Sequence, residues 1–91
     1  MIIWFKAVKE SKILLSNTWE DLSNETRTHK VFKALEETCN KWDLAVPIWL
    51  DVNVAEFKKS ARTRFTTDSF VEEVNFDYLE IQVLEEDPNV S

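Results

Sequence analysis

A chain of 91 residues with a formal charge of −6 and no glycine has room for one hydrophobic core, and it cannot build the glycine-rich turns that cradle nucleotide phosphates. The negative charge disfavours general affinity for nucleic acid or an anionic membrane. The single cysteine, Cys39, excludes the intrachain disulfide framework of small secreted domains.

Apolar residues make up 44% of the chain and include four Trp and six Phe, which can fill a small core. Met1–Phe5 is apolar but too short for a signal-peptide core, and no later run approaches a membrane span. A cytoplasmic protein is the expectation. Without glycine, any position with φ > 0 falls to Asn, Asp or a strained residue.

Ile2–Val8 and Lys12–Thr18 read as strands joined at Lys9-Glu10-Ser11, a connection short enough for an antiparallel hairpin. In the first, Ile3, Phe5 and Ala7 share one face; Trp4, Lys6 and Val8 share the other, and a Trp beside Lys points to partial cover. Ser23-Asn24-Glu25-Thr26 supplies capping residues for a helix running to Trp42. Val31, Leu35, Thr38 and Trp42 form its apolar row, with Phe32 and Cys39 beside it. His29, Lys30, Lys33, Glu36, Glu37, Asn40 and Lys41 fall on the opposite side, where Lys33–Glu37 and Glu37–Lys41 are i,i+4 pairs. The apolar stripe is expected to pack on the last strand.

Pro47 ends helical continuation, and Val46–Leu50 reads as a short extended segment. Asn53-x-x-Glu56 resembles a capping box opening a second helix over Val54–Ala61, with Val54, Phe57 and Ala61 at helical spacing. Arg62–Thr66 reads as extended, and Asp68–Val74 as a helical turn or a bent strand. Phe76–Glu85 is the clearest strand, with Leu79, Ile81 and Val83 alternating against Glu80 and Gln82. The expected architecture is one α+β domain of order β-β-α-β-α-β. Its sheet is antiparallel or mixed, its helices pack on one face, and residues 86–91 form a frayed tail.

Chemistry-bearing residues are sparse. His29 and Cys39 lie ten residues apart on one helix, roughly 15 Å along its axis, too far for a nucleophilic relay. One Cys and one His are too few for structural zinc. Asp51, Asn53 and Glu56 resemble the opening of a calcium loop but lack its glycine and distal Glu, and a turn with an N-cap explains them. The acids Glu72, Glu73, Asp77, Glu80, Glu85, Glu86 and Asp87 read as a solvated face. No catalytic, cofactor or metal site is expected.

The most distinctive stretch is Phe57–Phe65, where four of the eleven basic residues fall within seven positions. On an extended Arg62–Arg64, both guanidinium groups share one face and suit phosphate or carboxylate. The alternative role for these arginines is pairing with the acidic last strand. The expected function is a non-enzymatic protein-interaction module with an acidic surface and a local Lys/Arg patch. Its contact residues are Lys58, Lys59, Arg62, Arg64, Trp4 and Trp49. The partner is a protein, with no membrane role and homo-oligomerisation left open. The competing readings are an accessory protein touching nucleic-acid phosphate through Lys58–Arg64, and a polyanionic mimic that inhibits a nucleic-acid-binding enzyme.

Overall fold

The computed structural model describes residues 1–88 of the chain. Alternating apolar side chains build the hairpin of β1 (Ile2–Lys9) and β2 (Lys12–Glu20). The two-residue turn places Glu10 at φ 50° and Ser11 at φ 65°. Both are left-handed, as the tightest hairpin turn requires, in residues that pay a steric penalty there. Asp77 offsets this cost: its carboxylate accepts from the Glu10 N–H at 2.8 Å, and its own N–H donates to the Val8 carbonyl at 2.8 Å.

Helix α1 (Arg27–Lys41) opens on Thr26, whose hydroxyl accepts from the His29 N–H. Val31, Ala34, Leu35, Thr38 and Cys39 are buried, as the apolar row implies. Lys30, expected on the solvent side, is instead fully buried. Its ammonium donates to both Asp87 carboxylate oxygens and to the Asp21 and Ser23 carbonyls, so its charge is neutralised and its donors are used. Phe32 moves the other way and is 51% exposed. The expected i,i+4 pairs give way to contacts with the sheet. Glu37 accepts from the Trp19 indole N–H at 2.6 Å, and Lys41 donates to the Asn17 side-chain carbonyl at 3.0 Å.

The element order departs from expectation after α1. Val46–Leu50, read as extended, belongs to no strand or helix. Pro47 removes a ladder donor, and the segment is tied down by a bond from Ile48 N–H to the Ser69 carbonyl. Helix α2 (Asp51–Ser60) begins three residues earlier than the capping pattern implied, because Asn53 sits inside the first turn and accepts from the Leu50 N–H. Asn53 and Phe57, rather than Val54, are its buried residues. Ala61 closes α2 at φ 55°, and β3 (Arg62–Thr66) follows directly.

A single 3-10 turn at Thr67–Ser69 leads into irregular chain, where the Phe70 and Phe76 rings meet edge-to-face at 5.6 Å. Strand β4 then spans Tyr78–Glu85. The resulting α+β domain has one four-stranded antiparallel sheet of order β2-β1-β4-β3. Ile3, Phe5, Ala7, Phe65, Leu79 and Ile81 form the sheet side of the core, joined by Val31, Leu35, Cys39 and Phe57 from the helices. Helix α1 lies nearest β1 and β2, and α2 lies against β3. Glu86 and Asp87, expected to fray, are held by Arg27 and Lys30, and residues 89–91 of that expected tail lie outside the described residues. No helix among the described residues is long and apolar enough to cross a membrane.

Candidate functional site

The six residues singled out in the sequence do not share one surface. Trp4, Arg62 and Arg64 lie on the sheet face without helices, in register: Trp4 stands opposite Gln82, and Gln82 opposite Arg62. Trp49 lies on the other side of the molecule, among the helices. Lys58 lines the same groove as Trp49, while Lys59 lines a cleft with Arg62 and Arg64.

On the helix-free face, Glu80 is the central group and is only 5% exposed. Arg64 Nε donates to its carboxylate at 2.8 Å, and Lys6 lies 3.7 Å from the other oxygen. The carboxylate bond raises the already high affinity of Arg64 for its proton. Arg64 also stacks over Tyr78 at 4.4 Å, and the Lys6 ammonium sits 4.8 Å above Trp4, whose indole N–H donates to Ser16 Oγ. Long side chains thereby cover their own ion pairs. The arginine read as a ligand-binding fork is thus engaged within the fold. Arg62, by contrast, makes no salt bridge among the described residues.

The adjoining cleft, about 480 Å³, is lined by Lys59, Ser60, Arg62, Thr63 and Arg64, together with Glu56 and Glu80. Glu56 accepts from Thr63 Oγ1 at 2.6 Å. The cleft therefore mixes signs, and four of its polar groups, Glu56, Thr63, Arg64 and Glu80, are already paired internally.

Of the acids read as a solvated face, Glu72, Glu73 and Glu85 are exposed without an ionic partner among the described residues, and the other four are engaged. Asp77 caps the hairpin, Glu80 is buried under cations, and Arg27 grips Glu86 through two bonds at 2.9 and 3.0 Å. The Met1 ammonium and Lys30 hold the Asp87 carboxyl below the usual carboxylate range. His29 contacts Glu25 at 3.2 Å, and Cys39 is buried away from both. No three His, Cys, Asp or Glu side chains converge on a point among the described residues.

The surface that sequence reasoning missed is a groove of about 260 Å³ between α1 and α2. Val31, Phe32, Trp49, Val54 and Phe57 line it, with Arg27, Thr28 and Lys58. Trp49 is its hub, meeting Phe32, Phe57 and Phe65 edge-to-face at 6.1, 5.4 and 4.9 Å. The Trp49 indole N–H is buried and finds no acceptor among the described residues. Arg27 lies over the Phe57 ring at 5.1 Å. One signal could have found the groove: Phe32 is one position off the helical row, so it cannot point where Val31 and Leu35 point.

Comparison with known proteins finds no family model, curated protein or solved structure that matches this chain.

Proposed function

We propose that this chain is a small, non-enzymatic protein-interaction module that receives an apolar segment of a protein partner in the groove between α1 and α2. The observation that carries this reading is the pairing of a half-exposed Phe32 with the Trp49 ring cluster, in a groove that also holds two cations. Aromatic residues with Arg are the side chains enriched where binding energy concentrates. Val54 adds 39% exposure on the facing helix.

Lys58, which makes no salt bridge among the described residues, favours an apolar segment with an acidic flank. The overall charge of −6 repels such a segment at long range, so capture depends on close fit. The single buried thiol suits a reducing compartment, and we place the protein in the cytoplasm. The phosphate-binding alternative is weakened by the engagement of Arg64 with Glu80, and the polyanionic mimic only where Glu80, Glu86 and Asp87 pair with cations.

An NMR titration distinguishes these readings. The probes are a synthetic amphipathic peptide with Leu and Phe anchors and Glu flanks, a scrambled control, and a single-stranded oligonucleotide. Saturable shifts at Phe32, Trp49, Val54 and Phe57 with the ordered peptide alone are the expected result. The reading fails if the peptide gives no saturable shift, or if only the oligonucleotide binds and its shifts map to Lys59 and Arg62.

A further inference from the structure

We infer that two copies of this chain pair through the outer edge of β2, antiparallel and centred on Thr18, joining their sheets into one. This surface is separate from the groove and does not depend on it.

The two edges of the sheet are treated differently. β3 is five residues long, and α2 covers it: Asn53 Nδ2 donates to the outward Arg64 carbonyl at 3.0 Å. β2 is nine residues long and contains no proline. The bond from Asp21 N–H to the Met1 carbonyl fixes the phase of its ladder with β1. By alternation, Leu15, Asn17 and Trp19 turn their backbone groups toward β1, and Ser16, Thr18 and Glu20 turn theirs outward. Those outward groups make no hydrogen bond among the described residues. A long edge strand without proline, with its outward ladder groups free, marks a pairing surface.

Charge decides that the occupant is a second copy and sets the register. On the helix side of β2, Lys41 is held on Asn17 and Glu37 on Trp19. With Thr18 on the two-fold axis, Asn17 stands opposite the partner's Trp19, and Lys41 comes beside the partner's Glu37. Symmetry repeats the contact. In the same register the outward groups of Ser16 meet those of the partner's Glu20, and Thr18 meets the partner's Thr18, which continues the ladder. Shifting the register to set Asn17 against the partner's Asn17 brings Lys41 against the partner's Lys41. Slips of one residue set the helix-covered face of one sheet beside the open face of the other.

Sedimentation equilibrium at about 0.15 M salt, where screening leaves a Debye length of ~8 Å, tests the pairing. Over about 1 μM to about 1 mM protein, the mass should rise from 10.7 kDa toward twice that value. Amide exchange at Ser16, Thr18 and Glu20 should slow with concentration, while Asn17 and Trp19 are protected throughout. Thr18→Pro removes an outward N–H that the β1–β2 ladder does not use, and should leave a folded monomer. If that variant unfolds, Thr18→Lys sets like charges on the axis and serves instead. Lys41→Glu should raise the dissociation constant about tenfold, and the swap E37K/K41E should restore it. A constant 10.7 kDa mass overturns the inference, as does a dimer indifferent to both Thr18 and the charge swap.

Discussion

Burial pushes the Cys39 thiol from its ordinary value of 9.0 up to about 11. In the unfolded chain the thiol loses its proton near 9; in the folded chain it keeps that proton until about 11. Across this window the folded state binds more protons, so stability falls as pH rises through it, and below the window the thiol exerts no pH dependence. Chemical denaturation at pH 8 and pH 10.5 should therefore show a loss in the wild type that is smaller in Cys39→Val. An equal loss in both proteins would mean that the thiol is not buried as described. The position of Cys39 was legible in sequence because it lies on a helical row with Leu35 and Trp42. The burial of Lys30 was not, because no local pattern shows that Asp87, far along the chain, supplies its counter-charge.

At the scale of elements, the junction of α2 and β3 is abrupt, since Ala61 alone separates them. Its φ of 55° lies in the left-handed region, where a helix end ordinarily uses glycine and a Cβ costs about 1–2 kcal/mol. Glycine gives back part of that gain through greater freedom in the unfolded chain. Ala61→Gly should still stabilise the protein by about 1 kcal/mol in urea denaturation, with an unchanged slope. A loss of similar size would show that the junction is not left-handed. Strands β1 and β4 and helix α1 were readable because two-residue and 3.6-residue periods stand out when one face is buried. Val46–Leu50 misled because extended backbone is a local property, whereas strand membership requires a partner with free ladder groups. The start of α2 was misplaced for a related reason: Asn53 can cap from the first turn as well as from outside the helix.

The whole molecule separates its chemistry by surface. The helix-free face of the sheet neutralises Glu80 with Arg64 and Lys6, the outer edge of β2 stays open, and the helix side keeps the aromatic groove. The basic stretch that dominated the sequence is divided among these surfaces, because adjacent residues on a strand and a helix face different ways. Its Lys58 faces the groove and its Arg64 faces Glu80, and Arg64 alone of its four cations has an ionic partner among the described residues. The groove itself was hardly legible, since its lining comes from three separate segments.

The central claim is that Phe32 is held at the surface for binding rather than for folding. Substituting Phe32→Ser, with urea denaturation and the acidic-flanked peptide titration run on the same preparation, tests it directly. The edge-to-face contact with Trp49 is worth about 0.5–1.5 kcal/mol, so stability should fall by no more than about that amount while saturable peptide binding disappears. A stability loss above about 3 kcal/mol, in the range of a core aromatic, or peptide binding equal to that of the wild type, would contradict the claim.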